Sequence, residues 1–109
     1  MNPFVNLYGF VVRKEIAKDG SICEPPDWAA ANRISVEEAL RIMTFNSAYA
    51  LFLEDVIGSL EPGKFADMII ISENPLTVDP EALDDIEVLM TMVNGKTVFC
   101  ASGFSDYCP

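Results

Sequence analysis

The feature that most constrains the fold is the pair Asn94-Gly95, which separates two apolar runs, VLMTMV and KTVFC. Both residues readily take the positive φ values of a two-residue type I′ turn, so the pair predicts a β-hairpin. Upstream, ADMIIIS predicts another strand that is apolar on both faces. Between them, Asp79-Pro80 predicts a brief turn or helix through Asp85. The second half of the chain is therefore predicted to be built mainly of strands.

The stretch GSLEPGKFADMIII, residues 58–71, could be a catalytic site or only the entry into a sheet. IGSL predicts a short strand, and Glu61-Pro62-Gly63 suits a type II turn with proline and glycine at its central positions. Lys64 and Asp67 could act as a proton-transfer pair. A lysine after a Pro-Gly turn and an aspartate at a strand entrance are more often a solvated charge and a turn-capping acceptor, and the structural interpretation is favoured.

The first half of the chain reads as helical. Asn2 and Pro3 suit the N-cap and first position of a helix whose apolar residues recur at helical spacing, with Gly20 as its stop. CEPPDW is then a loop, because each proline pushes the preceding residue toward extended geometry. Ser35 and Glu38 form a capping box that begins a second helix. A third helix is predicted after it, capped at Thr44 or Asn46.

Composition excludes several classes of partner and site. Seven Lys/Arg against seventeen Asp/Glu give a net charge of −10, so nucleic acid and membrane surfaces are not expected as partners. No apolar run reaches the roughly 20 residues of a membrane span, and the start lacks a basic signal-peptide region, so a cytoplasmic location is expected. The chain has no histidine, which removes Ser-His and Cys-His dyads and imidazole ligands.

The cysteines are odd in number and lack metal-type spacing: Cys23, Cys100 and Cys108. They predict free, inert thiols in a reducing compartment rather than a disulfide framework.

Three separated motifs occur in an order that resembles a known family: ISVEEALRIMTFNSAYAL, EDVIGSLEPGKFADMIIIS and VLMTMVNGKTVF. They are similar to the carboxyl-terminal end of the amidohydrolase superfamily, specifically the amidohydrolase family 3 branch of metal-dependent hydrolases. The resemblance covers about Asn2 to Phe99. Its structural-motif residues in this chain are Gly58, Pro62, Gly63, Lys64, Ala66, Asp67, Asn94 and Gly95.

The resemblance implies an α+β fold in which helices from the end of a (β/α)8 barrel are followed by part of a small β-sandwich. It divides the chain into a helical segment 1–57, a strand segment 58–103 and a tail 104–109. The family's metal-binding histidines, its occasional carboxylated lysine and its catalytic aspartate would lie upstream of Met1. In an intact relative that aspartate would activate a metal-bound water for attack on an amide or ester carbonyl.

The implied function is that of a carboxyl-terminal fragment of a metal-dependent hydrolase of C–N bonds, with no catalytic residue, metal ligand or cofactor of its own. A divalent, zinc-like metal is expected only in an intact family member. The alternative is an independent, non-catalytic oligomerisation or binding module. The expected partners are accordingly a second copy of the chain or the missing amino-terminal part of the enzyme.

A few other residues carry alternatives. Arg13 could reach a substrate carboxylate in a whole enzyme, but its place beyond the first helix is explained by the helix dipole. Trp28 is expected to be a core anchor rather than a substrate-lid residue. The acidic residues Asp79, Glu81, Asp84, Asp85 and Glu87 lack the ligand spacing of a calcium loop and are expected to form a solvated surface.

Overall fold

The structure is a computed structural model that describes residues 2–109. It is α+β, with short helices and two small antiparallel sheets. The chain forms two compact units, one of Met1–Leu40 with Glu73–Ile86 and the other of Arg41–Ser72 with Glu87–Pro109. These two units are defined by contacts within this chain. The predicted ranges 1–57, 58–103 and 104–109 refer instead to the architecture of the family, and they stay a prediction. No helix of residues 2–109 is long and apolar enough to cross a membrane.

Helix α1, Pro3–Val11, begins as predicted. The Asn2 side chain accepts a hydrogen bond from the Phe4 N–H at 3.0 Å, and its amide donates to the carbonyls of Asp84 and Ile86 at 3.0 Å each. One side chain therefore caps α1 and ties it to a segment about eighty residues away.

The predicted extension of α1 to Gly20 is wrong. Arg13 has φ 65°, a left-handed conformation that ends the helix, and strands β1, Glu15–Ile16, and β2, Ile22–Cys23, then pair antiparallel. The turn between them contains Gly20 at φ 83° and is closed by a 2.8 Å hydrogen bond from the Ala17 N–H to the Ser21 carbonyl. The Asp-Gly turn chemistry outweighs the apolar periodicity that favoured a longer helix.

Helix α2, Asp27–Ala30, follows the proline loop, and helix α3, Val36–Arg41, begins at the predicted capping box. The Glu38 N–H donates to Ser35 Oγ at 3.1 Å while the Ser35 N–H donates to the Glu38 carboxylate at 3.0 Å. Both ends of the reciprocal cap are thus formed, which confirms the prediction.

The predicted break between two helices near Thr44 is wrong. A π-helical turn, Ile42–Asn46, runs directly into helix α4, Ser47–Ala50, and Asn46 has right-handed helical angles without a capping side-chain bond. The Ser47 hydroxyl donates to the Ile42 carbonyl at 2.7 Å, five residues back. The extra residue in the turn therefore widens the helix instead of ending it.

Strands β3, Met68–Ile71, β4, Val88–Val93, and β5, Lys96–Cys100, form an antiparallel sheet in the order β3-β4-β5. Val93 pairs with Lys96 across the turn, where Asn94 has φ 49° and Gly95 has φ 72°. Both central residues are therefore left-handed, which confirms the type I′ hairpin.

The entry into the sheet is only partly as predicted. The type II turn is confirmed, since Gly63 has φ 95° and the Lys64 N–H donates to the Glu61 carbonyl at 3.2 Å. The predicted strand IGSL is wrong, because these residues form bends. Gly58 has φ 91°, outside the range of an extended strand.

Two short 3₁₀ helices complete the fold, Pro80–Asp85 and Ser105–Tyr107. The first lies where a brief turn or helix was predicted, and the Asp79 side chain caps it. Each unit has its own buried apolar residues. In the first unit they are Phe4, Leu7, Tyr8, Val12, Ala39, Leu83 and Ile86, and in the second they are Ala48 and Met90. Helix α1 packs against the 3₁₀ helix Pro80–Asp85, whose Leu83 is completely buried.

Two predictions about individual side chains are corrected. Cys100 and Cys108 form a disulfide, since the 3₁₀ turn Ser105–Tyr107 brings their Cα atoms to 6.4 Å, within the range that a disulfide can span. Cys23 remains a free, exposed thiol. Trp28 is 74% exposed and is not a core anchor, because the four-residue helix α2 buries no side chain.

Candidate functional site

The segment Gly58–Ile71 and the hairpin turn meet in the second unit. Asp67 Oδ1 accepts the Asn94 N–H at 2.7 Å, and the Ala66 carbonyl accepts the Gly95 N–H at 3.1 Å. Two adjacent residues thus bind both backbone donors of the turn. Because N–H groups of a left-handed turn otherwise depend on water, this contact stabilises the turn and aligns β3 beside β4.

Lys64 belongs to a different cluster from Asp67. Its ammonium donates to Ser59 Oγ at 2.6 Å, lies 3.6 Å from Glu61 Oε1 and stands 5.8 Å from the centre of the Phe45 ring. The Ser59 hydroxyl donates to Glu61 at 2.7 Å, and this bond, followed by the Lys64 charge, holds the pKa of Glu61 below its ordinary value. Only 11% of the Lys64 side chain is exposed, so its stem is packed over the ring.

These partners favour the structural interpretation of Lys64 and Asp67. Lys64 fastens the Pro-Gly turn, while Asp67 accepts a backbone N–H of the hairpin turn. The proton-transfer hypothesis requires the two side chains to act on a common group, and the structure gives each a different one.

A cleft of ≈ 570 Å³ opens beside these clusters, within the second unit. Its wall combines apolar side chains of the π-helical turn, of α4 and of β3 with few polar groups; it includes Met43, Ser47, Ala48, Gly58, Asp67 and Ile69. Asp67 is the only charged residue among those that line it. The cleft is suited to an apolar group far more than to an anion.

Arg13 lies in the first unit, at the left-handed residue that follows α1. Its Nε donates to the Asn32 carbonyl at 2.9 Å, which joins the end of α1 to the residues after α2. This contact occupies one of its donors and leaves the others available. Contact with a substrate carboxylate remains a prediction.

Sequence reasoning missed a polar cluster that forms around the buried Tyr8 in the first unit. The Tyr8 hydroxyl, on a side chain that is 1% exposed, donates to Glu81 Oε2 at 3.1 Å, and Lys14 Nζ binds Glu81 Oε1 at 3.0 Å and Glu24 Oε1 at 3.2 Å. Burial raises the pKa of Tyr8, and the Glu81 carboxylate raises it further. The Lys14 ammonium holds the pKa of Glu81 below its ordinary value. The sequence signal was the hydroxyl of Tyr8, which is a buried residue of α1 and so needs a hydrogen-bond partner. That partner, Glu81, lies 73 residues away in the chain.

This cluster predicts a specific pH dependence of stability. Because the pKa of Glu81 is lowered in the fold, its contribution is present above the ordinary value of 4.5 and is lost as the pH falls through the folded value. Replacing Lys14 by Met should therefore lower the midpoint of thermal unfolding at neutral pH more than at about pH 3. Lys18→Met is the control, since Lys18 is an exposed residue of the β1–β2 turn. Equal midpoint losses for Lys14→Met at both pH values would contradict the ion pair.

The residues present do not fit the divalent metal that the family resemblance implies. Within residues 2–109, no group of three or more His, Cys, Asp or Glu side chains could hold a metal ion. Two acidic side chains at the 3₁₀ segment have other partners, since Asp79 accepts the Glu81 N–H and Glu81 binds Tyr8 and Lys14.

The comparisons with known proteins agree with the fold. A sequence model of the amidohydrolase family matches residues 1–99. Protein LONG AFTER FAR-RED 3 of Arabidopsis thaliana is 41% identical over 73 residues, which cover 66% of this chain and 12% of that protein. N-substituted formamide deformylase of Arthrobacter pascens is 30% identical over 94 residues, which cover 86% of this chain and 16% of that protein.

A solved structure is similar as well. The crystal structure of an amidohydrolase from Thermotoga maritima MSB8 superposes with a TM-score of 0.55 at 35% identity, over 68% of this chain and 18% of that one. The chain belongs to the amidohydrolase family, whose model matches nearly all of it. It spans only 12–18% of the length of these three relatives.

Proposed function

We propose that this chain is the carboxyl-terminal part of a metal-dependent amidohydrolase that hydrolyses C–N bonds of amide or N-acyl substrates. In that enzyme the helices would come from the end of a (β/α)8 barrel and the strands would belong to a small β-sandwich. The catalytic residues and the divalent metal would be supplied by the rest of the enzyme, and this part would be inactive by itself.

The observation that carries the proposal is the family match over residues 1–99, combined with the small share of each relative that the chain covers. The substrate class is supported by the name of the Arthrobacter relative, an N-substituted formamide deformylase. The structural role of the shared motif is supported by the contacts of Ala66 and Asp67, which fasten the hairpin turn.

The proposal predicts that the isolated chain neither holds a catalytic zinc ion nor hydrolyses an amide. The physical reason is the lack of histidine in the sequence, which, with Cys100 and Cys108 in a disulfide, leaves carboxylates and the Cys23 thiol as ligands. Elemental analysis of the purified chain after dialysis against zinc, together with an assay on N-formyl and N-acetyl amines, should give neither tightly bound metal nor turnover.

The positive arm of this experiment uses the coding sequence upstream of Met1. If the proposal is correct, an in-frame extension encodes metal-binding histidines, and the extended protein hydrolyses an N-acyl amine in a metal-dependent manner. About one tightly held zinc per isolated chain with turnover would contradict the fragment assignment. An extended protein that binds zinc but hydrolyses none of the amides would contradict the proposed substrate class.

A second candidate function, a non-catalytic oligomerisation module, is favoured by the exposed sheet. Strands β3 and β5 are both edge strands, and several of their large apolar side chains, with one at the end of β4, are open to solvent: Ile69, Ile70, Val93, Val98 and Phe99. Unpaired edges with apolar side chains are ready-made sites for strand addition. The partner would be a second copy of the chain.

Self-association is accordingly expected at micromolar concentration. The net charge of −10 opposes it, but salt screens that repulsion beyond about 8 Å, while burial of apolar area stabilises a dimer by roughly 25 cal/mol per Å² before association costs. Val98→Lys, on the edge strand β5, should shift the equilibrium toward monomer, whereas Leu76→Lys, exposed in the other unit, should not. A single species near 12.0 kDa in analytical ultracentrifugation of the unmodified chain would contradict the expectation.

A further inference from the structure

The disulfide between Cys100 and Cys108 lies outside the part of the chain that matches the amidohydrolase family. The match ends at residue 99, and Cys100 is the last residue of β5. Across the sheet, Cys100 pairs with Met90, a buried residue of the second unit. The disulfide therefore joins the end of the shared fold to the tail that follows it.

The other interactions of the tail are local or weak. The Ala101 N–H still donates to the Leu89 carbonyl at 2.8 Å, but beyond it the Phe104 N–H bonds to Ala101 and the Tyr107 N–H bonds to Phe104. The rings of Phe104 and Tyr107 lie 5.0 Å apart, and Tyr107 is 74% exposed. Phe104 is half-buried, but a three-residue 3₁₀ turn with this one ring contact is too short to hold a loop closed, so the covalent link decides whether it stays closed.

The two sulfurs are placed for reversible chemistry. Both cysteines are half-buried rather than enclosed, and the loop between them is short, with a sequence separation of eight residues. The remaining cysteine, Cys23, is exposed and belongs to the other unit. The pair can therefore exchange with small thiols and disulfides in solution. Cys23 serves as an internal control, because its reactions do not involve the tail.

We propose that Cys100 and Cys108 form a redox-responsive latch that closes the tail, residues 101–109, when it is oxidised and releases it when it is reduced. Oxidation uses a small disulfide such as glutathione disulfide. The thiolate of one cysteine attacks the small disulfide and expels one thiol, and the second cysteine then attacks the mixed disulfide and expels the other. In sum the two protein thiols lose two electrons and two protons, and one small disulfide becomes two thiols.

The latch acts independently of the proposed hydrolase function, because it uses only residues at and beyond the end of the family match. Its consequence is local: reduction leaves β5 paired with β4 through Phe99 while the residues after Cys100 lose their closing bond. The backbone of the tail is then free to extend into the conformation that proteases and partners bind, so both should act on it more readily in the reduced state.

The test equilibrates the full chain in glutathione buffers of graded ratio, quenches with acid, alkylates the free thiols and counts them by mass spectrometry. One alkylated cysteine is expected in the oxidised chain and three in the reduced chain. In parallel, chymotryptic cleavage after Phe104 or Tyr107 is followed by mass, and it should be about tenfold or more faster in the reduced chain, since a short-loop disulfide shifts an opening equilibrium by at least that much.

Two variants serve as controls. Cys23→Ser should retain the full redox dependence of cleavage, whereas Cys108→Ser should be cleaved at the fast rate in every buffer. The latch is overturned if the pair stays reduced in excess glutathione disulfide, if cleavage rates are equal in the two states, or if Cys108→Ser keeps the redox dependence through Cys23. Circular dichroism of each variant identifies any loss of fold, and the cleavage comparison within the unmodified chain needs no variant.

Discussion

Replacing Gly58 by Ala is expected to destabilise the second unit by about 2–5 kcal/mol. Gly58 has φ 91°, a conformation that costs an L-residue roughly 1–2 kcal/mol. An added Cβ would also stand 2.6 Å from Ala48 Cβ and 3.3 Å from Phe45 Cα. The helix that contains Phe45 and Ala48 would therefore have to move away from the Gly58 loop. Denaturant unfolding followed by circular dichroism measures the loss.

The matched control for this prediction is Gly95→Ala in the hairpin turn. Gly95 has φ 72°, but no atom lies within 4 Å of an added Cβ, so only backbone strain of about 1–2 kcal/mol is expected. The difference between the two variants isolates the steric contact with Ala48 and Phe45. Equal losses for Gly58→Ala and Gly95→Ala would show that the close approach at Gly58 is not what fixes that loop.

Replacing Leu83 by Ala is expected to destabilise the first unit by about 2–5 kcal/mol. Leu83 is completely buried in the 3₁₀ helix Pro80–Asp85, which packs against α1. Removal of its side chain leaves a cavity in the apolar core of this unit that a small unit cannot easily collapse. The change should appear as a lower denaturation midpoint with an unchanged slope.

Leu76→Ala is the control for Leu83→Ala. Leu76 belongs to the same chain segment but is 60% exposed, so its truncation should change the free energy of unfolding by no more than about 0.5 kcal/mol. A comparable loss in both variants would mean that Leu83 is not the anchor of this unit.

Local residue chemistry was sufficient for the turns and caps. Asn94-Gly95, Pro62-Gly63, the Ser35–Glu38 box and the Asn2 and Asp79 caps all depend on the φ preferences or side-chain acceptors of adjacent residues. Interactions of this kind extend over no more than four residues, so they can be read in a single window of sequence.

The errors in the sequence analysis occurred where two local signals competed. Apolar spacing through Val11, with basic residues after it and Gly20 as a stop, favoured a longer α1, but the left-handed Arg13 and the turn at Asp19-Gly20 ended it early. Thr44 and Asn46 looked like a new cap, yet the helix absorbs them in a π-helical turn. In both places the outcome depends on which set of neighbours the segment packs against, and a window of sequence does not contain them.

The candidate site shows the same division between local and distant information. That the Pro-Gly-Lys stretch enters a sheet was predictable from its turn residues, but the binding of both hairpin N–H groups by Ala66 and Asp67 was not, since the partners are 27 and 29 residues away. The Tyr8–Glu81–Lys14 cluster was missed for the same reason. The Cys100–Cys108 disulfide joins residues only eight apart, and it was missed because the odd number of cysteines favoured free thiols.

By itself, the sequence determined the strands of the three-stranded sheet, their hairpin, the caps at Asn2 and Ser35 and the family, because each is set by neighbouring residue types or by motifs in a given order. The tertiary structure alone decided which side chains meet: Lys64 with Ser59, Asp67 with Asn94, Tyr8 with Glu81 and Cys100 with Cys108. The Asp67–Asn94 and Tyr8–Glu81 pairs depend on loop closure over 27 and 73 residues, which carries no local signal and is stabilised by burial that only the assembled fold provides. The two shorter pairs depend on the path that the backbone takes through the turn between their members.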